Sequence, residues 1–147
     1  MSLLYADTSA LVRAYFADEP DHRALRSMFL EGYDRVVSSE ITRVEMASAV
    51  MAAERSGRLP RWRELLGAID KDCARGGPIA LIELRRELVM PTAYRLVTDH
   101  RVRTLDAMHL AVAIEECPQL ANGEEIEFVT RDRDQAAAAV ALGLMVR

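Results

Sequence analysis

Lysine is almost missing from this 147-residue chain: Lys71 stands alone among 19 basic side chains, and all the others are arginine. The arginine fork pairs with phosphate in two-point geometry, but an Arg-rich, Lys-poor composition also follows genome base content, so this bias by itself selects no partner. Cysteine is nearly as scarce. Cys73 and Cys117 lie far apart and outside any Cys-x-x-Cys spacing, which argues against a thiolate zinc site, gives no disulfide framework and leaves buried or idle thiols. Aromatic residues make up 5% of the chain, so Tyr5, Trp62 and Tyr94 read as packing residues rather than as a platform for stacked bases. No apolar run approaches the roughly 18–20 residues of a membrane span. The opening Met-Ser-Leu-Leu-Tyr-Ala-Asp has no basic segment and reaches an acid at its seventh position, unlike a secretory signal. The expectation is a soluble, cytoplasmic protein. Its net charge of -4 would discourage polyphosphate binding, which basic side chains drive, although the distribution of charge matters more than the sum.

Half the residues are hydrophobic, and a chain of this length is about one domain with a real core, taken here as residues 1–147. Strand and helix signals alternate without repeats or a long linker, the punctuation of an α/β fold. Strands are expected at 2–6, 35–38, 79–84, 126–130 and 144–146. Helices are expected from Thr8 to Phe16, Asp21 to Leu30, Ser39 to Arg55 and just after Pro60. Three more are expected over 85–98, interrupted near Pro91, from Thr104 to Glu116, stopped by Cys117-Pro118, and from Asp132 to Leu142. The two helices on either side of Gly57 and Pro60 read as a hairpin. Around them stands a sheet of four or five short, mostly parallel strands.

Four acids occupy settings where a solvated carboxylate is an odd choice. Asp7 and Asp132 close the apolar strand-like segments Leu3-Leu4-Tyr5-Ala6 and Ile126-Glu127-Phe128-Val129-Thr130-Arg131. In open parallel sheets, binding sites form beyond the carboxyl ends of strands at a switch point, so the two meet if their strands are neighbours. Glu45 is expected on the helix face of Ile41, Ser48, Ala49 and Ala52, carrying a carboxylate toward the core, where an isolated charge is costly. Asp106 lies in the first turn of its helix, where the dipole favours an anion. Singly, each has a plainer use. Asp7 and Asp132 serve as helix caps worth about 1 kcal/mol, Asp106 as a dipole partner, and Glu45 as a partner of Arg43 or Arg13.

Together they ask for a cation. Two unit charges 4 Å apart repel by about 4 kcal/mol at an effective dielectric near 20, and converging carboxylates raise one another's pKa unless something positive joins them. Hard oxygen ligands without His or Cys at ligand spacing select Mg²⁺ or Mn²⁺ over zinc or copper. One or two such ions suit phosphodiester hydrolysis, because they orient a water, lower its pKa and neutralise developing charge. His109 lies one helical turn after Asp106, but its neighbours Leu105, Met108, Leu110 and Val112 favour a core or interface histidine over a catalytic base.

Four segments in order carry a resemblance. They are Tyr5-Ala6-Asp7-Thr8-Ser9-Ala10-Leu11, then Ser38 to Glu45, then Arg103-Thr104-Leu105-Asp106-Ala107-Met108-His109-Leu110-Ala111, and last Phe128-Val129-Thr130-Arg131-Asp132-Arg133-Asp134. The chain resembles PIN-domain proteins, and most closely the VapC-type toxin ribonucleases of toxin–antitoxin pairs. The resemblance implies an α/β/α sandwich and a Mg²⁺- or Mn²⁺-dependent endoribonuclease acting on structured RNA such as tRNA or rRNA. It implies Asp7 and Asp106 as central metal ligands, with Glu45 and Asp132 completing the shell and Asp134 assisting. Thr8, Ser9 and Thr130 match positions that orient these carboxylates, and equally read as plain caps.

The resemblance further implies a homodimer and a cognate antitoxin whose tail crosses a groove lined by Leu11, Tyr15, Met46, Val50, Met51, Trp62 and Leu65. Those residues read at least as well as core. Two other functions stay open: a PIN-fold nuclease of RNA processing or DNA flaps, and a noncatalytic RNA- or protein-binding module. An acidic-cluster phosphatase fits less well, since Asp7-Thr8-Ser9 lacks the nucleophilic Asp-x-Asp. One departure from the pattern is the acidic run Gly123-Glu124-Glu125-Ile126-Glu127, which adds negative charge near the last acidic strand.

Overall fold

The computed structural model describes residues 1–147. Five strands form one all-parallel sheet: β1 (Ser2–Ala6), β2 (Arg35–Ser39), β3 (Ile79–Ile82), β4 (Glu125–Val129) and β5 (Met145–Val146), in the order β3-β2-β1-β4-β5. Seven helices connect them: α1 (Thr8–Tyr15), α2 (His22–Arg26), α3 (Ile41–Arg55), α4 (Trp62–Asp72), α5 (Arg86–His100), α6 (Thr104–Ala121) and α7 (Arg133–Ala141). A single π turn, Ser27–Glu31, continues α2. This is an α/β/α sandwich, the architecture that the resemblance implied.

Strand alternation builds the sandwich. Successive side chains of β1 point to opposite faces, so Leu4 and Ala6 pack beneath α1, α2, α3 and α4, with Leu11, Phe16, Leu25, Met46 and Ile69. Leu3 and Tyr5 pack with Phe128 and with Val89, Leu110 and Ala139 of α5, α6 and α7. Tyr5 and Phe128 stack with ring centroids 5.3 Å apart. Both faces of the sheet are therefore covered, as parallel sheets require. Tyr15 donates from its hydroxyl to Asp72 Oδ2 at 2.7 Å, tying α1 to the α3–α4 hairpin. No helix is long and apolar enough to cross a membrane.

Three expectations need correction. α5 runs through Pro91 and α6 through Pro118 to Ala121, where a break and a stop were expected. Proline removes one backbone bond and crowds the preceding turn, at about 3 kcal/mol. The buried stripes Val89-Thr92-Ala93-Leu96 and Ala113-Cys117-Ala121 continue across both prolines, and their packing offsets that cost. The core-facing stripe of α3 is Thr42, Met46, Val50 and Ala53, while Ser48 and Ala52 are exposed, so Glu45 sits on its shoulder rather than in it. Among the expected groove residues, Leu11, Tyr15, Met46 and Val50 are core, and Met51, Trp62 and Leu65 are half-buried.

Phe128 is fully buried and Val140 is 62% exposed. Phe128→Ala should lower the unfolding free energy by about 3–5 kcal/mol, whereas Val140→Ala should stay within about 0.5 kcal/mol. Urea denaturation of the two variants checks this; similar losses would contradict the sandwich core.

Candidate active site

The pairing of β1 with β4 runs in register from Ser2↔Glu125 to Ala6↔Val129. Asp7 continues it, its amide donating to Val129 O at 2.9 Å. The chain crosses to β2 on one side of β1 and arrives from α6 into β4 on the other, so the switch point of the sheet falls between these strands. Asp7 and the Thr130–Asp132 segment emerge there together.

Both aspartates cap helices, and both keep an oxygen for the site. Asp7, 3% exposed, accepts through Oδ2 from the Ser9 amide at 3.1 Å, capping α1. The same oxygen accepts from Ser9 Oγ at 2.6 Å and Thr130 Oγ1 at 3.3 Å. Its Oδ1 takes Gln135 Nε2 at 3.2 Å. Asp132 accepts through Oδ1 from the Gln135 amide at 3.0 Å, capping α7, while its Oδ2 takes the Arg103 guanidinium at 2.6 Å. Capping and a role in the site are thus compatible, because a carboxylate has two oxygens.

Asp106 enters from the first turn of α6. Burial raises its pKa above the ordinary value; Arg103, 3.0 Å away, pulls it down, and the charges of Asp132 and Asp7 push it up again. The net shift is upward. Glu45 reaches in from α3, held at Oε1 by Thr8 Oγ1 at 2.9 Å and His109 Nε2 at 2.6 Å. Burial raises its pKa, but its hydrogen bond and charge interaction with His109 and the Thr8 hydrogen bond outweigh this and hold it below the usual value. It pairs with neither arginine expected for it: Arg43 bonds Asp70, and Arg13 faces Asp21. Asp134 is exposed beside Arg103 and contributes charge rather than a contact.

Three residues outside the expected set organise the cluster. His109 is 1% exposed, a core histidine as its neighbours suggested, yet it also belongs to the site. Burial, then the Asp7 charge, raise the pKa of Tyr5 well above its usual value, so its phenol keeps its proton, and its hydroxyl hydrogen-bonds His109 Nδ1 at 2.8 Å. The other ring nitrogen, Nε2, faces Glu45 Oε1 at 2.6 Å, with Asp7 Oδ1 3.7 Å away. Gln135, fully buried, accepts from Thr130 Oγ1 at 2.8 Å and donates to Asp7. Its signal was legible: Asp132 to Gln135 has capping-box spacing, although the amide turns inward to Asp7. Arg103 bridges Asp106 and Asp132.

No three His, Cys, Asp or Glu side chains form a ready cation cage; Arg103 holds Asp106 and Asp132, and His109 holds Glu45. The donors still suit a hard divalent ion in kind, all being carboxylate oxygens. The upward shift of Asp106 comes first from burial, with the charges of Asp132 and Asp7 adding to it against the pull of Arg103.

A raised carboxyl pKa means that the charged form is less welcome in the folded chain than in the unfolded one. Its stabilising effect is present below the ordinary value of 3.8 and is lost as pH rises through the folded value. Asp106→Asn, with chelator present, should therefore melt higher than the unaltered chain near pH 7, with the difference closing as pH falls below 3.8. Calorimetry across pH reads this, and a lower melting temperature at neutral pH would contradict the electrostatic account.

No curated protein matches the chain. The family pattern described as PIN domain matches residues 4–141, a span that begins in β1, ends with α7 and takes in all four clustered acids. PIN domains are typically nucleases that act on nucleic acid and generally use divalent metal ions. On a match covering nearly its whole length, this chain belongs to the PIN domain family.

Proposed function

We propose that the chain is a Mg²⁺- or Mn²⁺-dependent endoribonuclease, the toxin of a toxin–antitoxin pair, cutting structured RNA such as tRNA or rRNA in the cytoplasm as a single domain. The observation that carries the nuclease reading is the convergence of Asp7, Glu45, Asp106 and Asp132 at the switch point, where Asp106 is half-buried among the other acids. The toxin reading rests on the four segments that resemble VapC-type proteins. It brings with it a cognate antitoxin and a homodimer. The exposed stripe Met90, Tyr94 and Val97 on α5 is an apolar surface that such contacts would use.

The division of labour is the one the resemblance implies, and the hydrogen bonds support it. Asp7 and Asp106 would hold the ion, with Glu45 and Asp132 completing its surroundings. A bound divalent cation supplies the positive charge that lowers the pKa of a water and offsets charge on phosphate oxygens. Ser9, Thr130 and Gln135 fix the Asp7 carboxylate, so that its free lone pairs have one direction. Thr8 and His109 do the same for Glu45. His109 is thereby a positioning residue, because both of its ring nitrogens are already engaged, Nδ1 with Tyr5 and Nε2 with Glu45.

Purified chain incubated with a mixed pool of structured cellular RNAs should cut at a few sites with Mg²⁺ or Mn²⁺ and not with chelator, and Asp7→Asn and Asp106→Asn should each abolish cutting. A folded protein that fails to cut under any metal would move the reading to a binding module. Gln135→Ala should weaken metal affinity or cleavage by about 10–100-fold, as loss of a group that orients a ligand does. Titration calorimetry with Mn²⁺ checks that expectation independently of turnover.

A further inference from the structure

The residue that the nuclease reading leaves unexplained is Arg103. It is the N-cap residue of α6, on extended backbone, and its side chain is 73% exposed. Its guanidinium takes the oxygens that face the site: Nε and a terminal nitrogen reach Asp106 Oδ2 at 3.0 Å, and that nitrogen reaches Asp132 Oδ2 at 2.6 Å. The other oxygen of Asp132 is committed to the α7 cap. A divalent cation drawing on Asp132 therefore competes with Arg103 for Oδ2, and at Asp106 it meets Arg103 on one of the two oxygens.

The surroundings make release easy and give the freed side chain somewhere to act. Exposed ion pairs of this kind are weak. Two hollows of about 400 Å³ and 410 Å³ adjoin the site. The first also has His100, Arg101 and Gln135 on its walls, the second Glu45 and Leu105, and only Arg103 and Asp106 line both. Arg103 thus stands on the ridge between them, where a strand crossing the acid cluster would pass.

We propose that Arg103 is a built-in counter-ion that competes with the divalent cation for Asp106 and Asp132, and that on release it pairs with a backbone phosphate of the RNA. This rests on the metal-dependent nuclease reading. One side chain then sets the metal concentration at which the site loads and holds the substrate once it has loaded. The two effects pull in opposite directions when Arg103 is removed, and a merely structural residue would not produce that pattern.

The test compares the unaltered chain with Arg103→Gln and Arg103→Lys, measuring Mn²⁺ affinity by titration calorimetry and then RNA cleavage at saturating Mn²⁺. Arg103→Gln should bind Mn²⁺ about three- to tenfold more tightly, the scale of one or two exposed ion pairs. Its KM for RNA should rise about five- to tenfold with kcat little changed. Arg103→Lys, a point charge without the fork, should fall between on both readouts. Unchanged or weaker Mn²⁺ binding in Arg103→Gln overturns the competition, and an unchanged KM overturns the phosphate contact. If the unaltered chain binds no Mn²⁺ at all, the metal-site reading itself fails and this proposal falls with it.

Discussion

The site depends on one ladder of backbone hydrogen bonds, the in-register pairing of β1 with β4. Ala6 lies opposite Val129 and the Asp7 amide bonds the Val129 carbonyl. A slip of one residue would turn every side chain of β4 to the other face. It would also separate Ser9 from Thr130 and Gln135 from Asp7, contacts that span more than a hundred residues of sequence. The buried stack of Tyr5 on Phe128 fixes that register from within the core.

The same stack joins packing to chemistry. Tyr5 is core by its ring and site by its hydroxyl, which holds the ring of His109 and through it the position of Glu45. Hydrogen-bonded polar groups in a low-dielectric interior are costly if any partner is lost, and here no buried polar side-chain atom lacks one. The cluster is nevertheless not at an electrostatic optimum, since burial, with Asp132 and Asp7 beside it, holds Asp106 above its usual pKa. Tension of this sort is expected where a site is organised to receive something rather than to be stable alone.

Much of this was legible in the sequence, and the gaps have physical causes. Short apolar runs ending in acids marked β1 and β4, and the α/β alternation gave the layers, because periodicity and turn residues are local signals. The helices through Pro91 and Pro118 were missed because local propensity was overridden by buried stripes that continue on both sides of each proline. The face of α3 was misjudged because an Ala-rich helix offers little contrast between its sides. Arg103 needed the fold, and so did the inward turn of Gln135, whose capping-box spacing was the local signal: their partners, Asp132 and Asp7, are distant in sequence, and an arginine before a helix ordinarily looks out at water. His109 carried a core signal that was correct and incomplete.

The four acids come from both layers of the sandwich and from both ends of the chain. Glu45 stands on α3 on one side of the sheet and Asp106 on α6 on the other, while β4, the partner that β1 needs, is the fourth strand to be made. During synthesis, β1 waits as an unpaired edge until residues 125–129 have emerged and inserted. Pairings so remote in sequence form late, because the intervening chain must first be closed. A ribosome-bound fragment therefore holds Asp7 and Glu45 without their counterparts, and the acid cluster comes into being only as the final layer docks.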